Sequence, residues 1–173
     1  MKNYNRISVF SHIDFDVKMY KLGLTDDNVE ECNNLNAFIS IIGTNESHKY
    51  YLNDDEFHWF KVNHENVLNI EFDDINEDEL MYKGVKFKGI TNAQAEQVVD
   101  FIEKHKGKNW FLHCRAGKSR SQAVTRYILD IYGEEYGYNE KESCRKDNPC
   151  KTPNINVLTK LKRTYYKKFG LFS

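Results

Sequence analysis

The chain has 173 residues, 40% of them hydrophobic and 29% charged, with a formal net charge of −1. That length and apolar share support one compact domain over residues 1–173 with a core of its own. The charge balance excludes a global field that would draw the chain to nucleic acid or an anionic membrane, and no apolar run reaches bilayer length, so neither stable nucleic-acid binding nor a membrane span is expected.

In chain order, residues 6–11 (RISVFS) read as a short strand. Thr25, followed by Asp26, Asp27 and Asn28, reads as a helix start: a hydroxyl cap, then acids where the helix dipole favours them. Residues 37–44 (AFISIIGT) are almost continuously apolar, the pattern of a strand buried on both faces, and Gly43 marks its exit. Residues 50–66 mix aromatics, histidines and acids without a clean period, which predicts irregular structure with a short helix near residues 54–60. Residues 66–72 (NVLNIEF) alternate as a strand does and run into an acidic loop over 73–79; residues 81–89 (MYKGVKFKG) suit a lid loop or a small hairpin.

Thr91-x-x-Gln94 forms a capping box, behind which Ala95, Val98, Val99 and Ile102 share a helical face until Gly107. Residues 109–112 (NWFL) form a short buried strand. From Ser119 the chain is again helical, with Ala123, Val124, Tyr127, Ile128 and Ile131 on one side and Gly133 and Gly137 at its end. Residues 138–152 read as a charged loop, and Pro153 and Asn154 start a last helix with Leu158, Leu161 and Tyr165 inward. This alternation predicts an α/β fold, a mostly parallel central sheet flanked by helices on both faces.

Residues 110–121 (WFLHCRAGKSRS) join a buried strand to a helix through a short loop. In such sheets ligands bind beyond the carboxyl ends of the strands, and a helix N-terminus there offers backbone N–H groups and a positive dipole end, which together bind phosphate. Gly117 lets the loop curl so that the amides of Arg115, Ala116, Gly117, Lys118, Ser119 and Arg120 form an anion nest. Cys114 sits at its mouth, where a helix N-terminus and a nearby cation favour the thiolate. Arg120 closes the loop with a planar fork suited to two phosphoryl oxygens, better than a lysine could. Ser121 can donate its hydroxyl to the Cys114 sulfur and help it leave, and His113 braces the loop from behind.

These residues match His-Cys-x5-Arg-Ser/Thr, and HCRAGKSRS resembles the signature loop of the dual-specificity branch of the cysteine-dependent protein phosphatases. A bare Cys-x5-Arg is a weak signal; the added His, Gly and Ser between a strand and a helix make it specific. The resemblance covers roughly the last 110 residues, including Pro153-Asn154 before the final helix, and reaches the first 60 only in general pattern. It implies a dual-specificity phosphatase-like fold, no cofactor, and a phosphorylated protein or other phosphomonoester as substrate. It also implies an Asp general acid on the loop after the strand NVLNIEF. Asp74 is favoured by its parity with Leu68, Ile70 and Phe72, and Asp73 and Asp78 stand as alternatives.

Arg115 and Lys118 suit a pocket rim that attracts a polyanion, or are solvated charges. His12, His48, His58, His64 and His105 show no ligand spacing and read as surface or partly buried residues; Tyr50, Tyr51, Trp59 and Phe60 either flank a substrate or fill the core. The polar opening residues 1–6 (MKNYNR) lack the apolar stretch of a secretion signal, so a reducing cytoplasm is expected, with Cys32, Cys114, Cys144 and Cys150 as thiols and no zinc knuckle. A protein phosphatase for phosphotyrosine, with phosphoserine and phosphothreonine as further substrates, leads. A phosphatase of an inositol phosphate, a nucleotide or an RNA 5′ end is one alternative, and a non-catalytic phospho-binding module another.

Overall fold

The computed structural model describes residues 5–51, 56–133, 135–139, 143 and 152–170. In chain order the elements are β1 (Asn5–Phe10), α1 (His12–Leu22), β2 (Asn36–Ile42), α2 (Asn45–His48), β3 (Val67–Glu71), β4 (Glu79–Tyr82), β5 (Val85–Lys88), α3 (Asn92–Lys104), β6 (Asn109–His113), α4 (Arg120–Tyr132), β7 (Tyr136–Tyr138) and α5 (Ile155–Phe169). Five strands form one sheet in the order β3-β2-β6-β1-β7, and every pairing in it is parallel. The fold is therefore α/β with a parallel central sheet, as the strand–helix alternation predicts.

A parallel sheet is covered on both faces, and side-chain parity sorts its residues. Ile7 and Val9 of β1, Ala37, Ile39 and Ile41 of β2, and Trp110 and Leu112 of β6 face one way and pack with the inner sides of α3, α4 and α5. Phe10, Phe38 and Phe111 face the other way and meet Phe15 and Met19 of α1, with Val29 and Phe60. This double burial is why β2 is an unbroken apolar run, and why Ser40 within it is fully buried.

Three helices follow the sequence closely. The capping box at Thr91 and Gln94 is present, with Ala95, Val98, Val99 and Ile102 buried; α3 ends at Lys104 with His105 as its cap, ahead of the expected Gly107. In α4 the residues Ala123, Val124, Tyr127 and Ile128 are buried, and in α5 Leu161 is buried while Leu158 and Tyr165 pack partly against the core. The segment 81–89 belongs to a hairpin: β4 and β5 pair antiparallel about Lys83 and Gly84, whose φ values of 49° and 76° give the doubly left-handed turn that matches strand twist.

Three expectations need correction, and one element goes unread in the sequence. No assignment covers α1, because its inward stripe is only Phe15 and Met19 while Ile13, Val17 and Tyr20 are exposed, which blurs the period. The helix expected at Thr25 is a single 3₁₀ turn, Val29–Cys32; Thr25, Asn28 and their neighbours bond to one another and to the Gly23 carbonyl, and such local bonds compete with a helix. No helix runs over residues 56–60; the chain there is pinned by Trp59 Nε1 donating to the Leu24 carbonyl at 2.9 Å and Asn69 Nδ2 to the Phe60 carbonyl at 2.7 Å, while residues 54 and 55 lie outside the described residues. Gly137 does not end α4, which stops at Tyr132; it lies inside β7, an edge strand on β1, so the expected loop over 138–152 begins one residue late and is otherwise mostly outside the described residues, with Cys144 and Cys150. Among the described residues no helix is long and apolar enough to cross a membrane.

Candidate active site

Cys114 follows directly on β6, at the carboxyl edge of the sheet, and only 2% of its surface is exposed. Its Sγ lies 3.1 Å from the Oγ of Ser121, in the first turn of α4. Between them the loop curls through Gly117 at φ 65°, a backbone conformation that a Cβ disfavours. The loop carbonyls are engaged from outside: Arg115 O by the His12 amide at 3.1 Å, Gly117 O by Gln122 Nε2 at 3.0 Å, Lys118 O by Thr152 Oγ1 at 3.2 Å, and Ser119 O by the amides of Ala123 at 2.9 Å and Asn154 at 3.1 Å. Every peptide bond described is trans, so the N–H of each of these planes points opposite to its carbonyl. The amides of Lys118, Ser119 and Arg120 therefore point away from these carbonyl partners, and the three residues line one cavity with Cys114 at the start of α4.

Arg120 is 4% exposed. Its Nη1 donates to the Phe72 carbonyl at 2.8 Å, and its Nη2 lies 3.6 Å from Oε1 of the buried Glu56, whose Oε2 accepts the Gly43 amide at 3.1 Å. Its Nε is buried and makes no hydrogen bond among the described residues. One edge of the guanidinium is thus clamped, and a buried N–H donor of the same fork is left for an oxyanion.

The three candidate acids part company here. Asp73 is 4% exposed and fully engaged: Oδ1 accepts the Thr44 amide at 2.9 Å, and Oδ2 accepts Thr44 Oγ1 at 2.8 Å and the Lys88 amide at 2.7 Å. Its carboxylate ties the exits of β2 and β3 to the hairpin. Asp78 is exposed and paired with Lys160. Asp74 lines the cavity above Cys114; its Oδ1 accepts Ser119 Oγ at 2.7 Å and Asn154 Nδ2 at 2.7 Å, and its Oδ2 makes no hydrogen bond among the described residues.

The cavity measures about 370 Å³. Cys114 and Arg120 lie at its base, with Arg115, Ala116, Lys118 and Ser119 of the loop, Glu56, Asp73 and Asp74, and an aromatic wall of Tyr50, Tyr51, Tyr82 and Phe87. Tyr50 meets Tyr51, Tyr82 and Phe87 edge-on, at centroid distances of 5.1, 5.6 and 5.7 Å. Arg115 stacks its guanidinium 3.7 Å over the Tyr51 ring, while Lys118 is exposed on the rim. Trp59 and Phe60 sit in the core on the far face of the sheet.

His113 is fully buried, and burial holds its pKa down at about 3, so the ring is neutral. Its Nε2 lies 2.6 Å from Ser40 Oγ, which lies 2.6 Å from His58 Nδ1. His58, read from the sequence as one of several unremarked histidines, therefore belongs to the site's support. Glu56, Ser40, Asn154 and the hairpin aromatics also escape the sequence reading as site residues; the single legible trace is a serine within the apolar run of β2. Among the described residues no cluster of His, Cys, Asp or Glu could hold a metal ion. Comparison of the chain with family models, curated proteins and solved structures gave no match in any of the three.

Proposed function

We propose that this protein is a cysteine-dependent phosphomonoester hydrolase, similar to the dual-specificity branch of the protein tyrosine phosphatases, that acts on phosphotyrosyl protein through a phosphocysteine intermediate. The observation that carries the reading is the pairing of Cys114, in the loop before α4, with a buried, half-clamped Arg120 whose Nε has no hydrogen-bond partner among the described residues. A buried cationic donor left open beside a nucleophile is a site for a tetrahedral oxyanion. The aromatic wall of Tyr50, Tyr51, Tyr82 and Phe87 favours an aryl over an alkyl ester, since an aromatic leaving group gains edge-on contacts there.

In the first step the Cys114 thiolate attacks phosphorus, the bond to the ester oxygen breaks, and Asp74 gives that oxygen its proton. The amides of Lys118 to Arg120 and the Arg120 guanidinium hold the three non-bridging oxygens. In the second step Asp74 takes a proton from water as it attacks the phosphocysteine, and Ser121 hydrogen-bonds the departing sulfur. The thiolate chemistry suits a reducing compartment such as the cytoplasm.

Hydrolysis of a generic aryl phosphate tests the scheme. Cys114→Ser should lose essentially all turnover and Asp74→Asn most of it, and a phosphotyrosyl peptide should outcompete phosphoseryl peptides, inositol phosphates and triphosphorylated RNA. Unchanged rates in Cys114→Ser would exclude the mechanism; an absence of turnover in the wild type, with tight phosphopeptide binding, would point to a binding module.

A further inference from the structure

Behind Cys114, on the face of the sheet away from α4, a polar thread crosses an otherwise apolar layer of Phe10, Phe15, Phe38 and Phe111. The β2–β6 register sets Ser40 directly beside His113. The Ser40 hydroxyl then stands 2.6 Å from a ring nitrogen on either side, His113 Nε2 and His58 Nδ1. A hydroxyl has one proton, so it donates to one ring and must accept from the other. Burial keeps both rings neutral, at about 3 for His113 and about 4 for His58. The thread therefore has two discrete proton arrangements, and the tautomer of one histidine dictates that of the other.

The two ends differ in what they face. His113 packs against the Phe15 ring of α1 at 4.4 Å, its Nδ1 is buried without a hydrogen-bond partner among the described residues, and against the burial that lowers its pKa the Cys114 backbone favours a proton on the ring. His58 feels Lys61 from its own segment and has its Nε2 3.9 Å from Oε1 of the half-exposed Glu71. A lone pair on His113 Nδ1 would forgo the Cys114 backbone's preference for a ring proton at a fully buried position. A lone pair on His58 Nε2 meets a carboxylate that water already solvates. The buried end decides, so His58 Nδ1–H donates to Ser40, Ser40 donates to His113 Nε2, and His113 Nδ1–H faces the Cys114 backbone.

We propose that His58 is a positioning residue: acting through Ser40, it fixes the His113 tautomer and so holds the Cys114 peptide in the orientation that supports the nucleophile. This rests on the reading of Cys114 as a reactive thiolate. Long-range ¹H–¹⁵N correlation spectra of the full chain should show both His58 and His113 protonated at Nδ1. In His58→Leu the His113 tautomer should shift toward Nε2–H, and alkylation of Cys114 by iodoacetamide at pH 7 should slow about tenfold, the usual scale for loss of an orienting partner. kcat for an aryl phosphate should fall in parallel, with KM little changed. His58→Asn, whose Nδ2–H occupies the place of the imidazole Nδ1–H, should restore both.

An Nε2–H tautomer of His113 in the wild type would overturn the proposal, and needs no variant to fold. So would an unchanged tautomer and alkylation rate in His58→Leu. Wild-type Cys114 alkylating no faster than a free thiol is a separate result: it would overturn the thiolate reading of the function, while the spectra would still decide the tautomer.

Discussion

Glu56 offers the sharpest test of how Arg120 is held. Its side chain is 2% exposed and its Oε1 stands 3.6 Å from Arg120 Nη2. At that separation and an effective dielectric of about 20, the gross attraction is about 5 kcal/mol. Glu56→Gln removes this charge while keeping an acceptor for the Gly43 amide, and Arg120 retains its bond to the Phe72 carbonyl. The loss should therefore fall at the low end for a broken buried pair, about 3 kcal/mol. For a chain of this size that corresponds to a fall in melting temperature of about 6–12 °C, read by differential scanning fluorimetry. The phosphate site proposed here adds a second, opposite signal. A bound oxyanion supplies the missing counter-charge, so vanadate or inorganic phosphate should raise the melting temperature of Glu56→Gln by more than that of the wild type. Turnover should fall, because a guanidinium held by its hydrogen bond to the Phe72 carbonyl without the ion pair to Glu56 is less well aimed; about tenfold in kcat is the scale for such a loss of orientation. A melting temperature within about 1 °C of wild type, with equal stabilisation by phosphate, would show that Glu56 does not hold Arg120.

Three further outcomes follow from the same contacts. Asn154→Ser keeps an acceptor for the Val157 amide at the start of α5 but removes the Nδ2 donor to Asp74; kcat should fall about tenfold for an aryl phosphate with a poor leaving group and hardly at all for a highly activated one, because only the former needs the acid. Ser121→Ala, which takes away the hydroxyl 3.1 Å from the sulfur, should slow breakdown of the phosphocysteine about a hundredfold and expose a burst of one leaving group per enzyme in stopped-flow traces. Acid should destabilise the fold through its buried rings. The folded-state values of about 3 for His113 and about 4 for His58 lie below the ordinary histidine value of about 6.5, so the unfolded chain binds protons first as pH falls. This contribution is complete above about pH 6.5 and declines toward pH 4 by about 1.4 kcal/mol per pH unit for each ring. Urea midpoints measured from pH 7 to pH 5 should drop, and His113→Gln should flatten the slope; equal slopes would mean that His113 is not buried as a neutral ring.

The parts of the site that were legible in the sequence are those whose chemistry is local. Cys114, Gly117, Arg120 and Ser121 lie within one strand–loop–helix unit, so their spacing alone implies a curled loop. Asp74 was within reach because it follows the strand closely and keeps the parity of Leu68, Ile70 and Phe72. Glu56 was not: it arrives from a segment with no period, and its role depends on meeting Arg120, 64 positions away in a chain whose intervening elements must first fold. The link from Ser40 to His113 depends on the β2–β6 register, which an apolar run cannot reveal when both faces are buried. At Thr25 a good cap sequence starts no α-helix, because the Asn28 side chain accepts the Thr25 amide and donates to the Gly23 carbonyl, and only a 3₁₀ turn follows.

The groups proposed for catalysis leave the sheet at one edge. Thr44 and Gly43 follow β2, Asp73 and Asp74 follow β3, and Cys114 follows β6, while His12, just after β1, holds the Arg115 carbonyl with its amide. These four strands are contiguous, so their relative placement is set by hydrogen-bonded registers, and a one-residue slip in any of them would turn its core face to the other side. The base of the cavity thus inherits the rigidity of the sheet. The aromatic wall does not: Tyr82 and Phe87 belong to a two-stranded hairpin outside the sheet, joined to it through Asp73, which holds the Lys88 amide and the Thr44 hydroxyl together. Asp73 therefore ties the hairpin to the exits of β2 and β3, and with both its oxygens engaged it is a poorer candidate for proton transfer than its exposed neighbour Asp74.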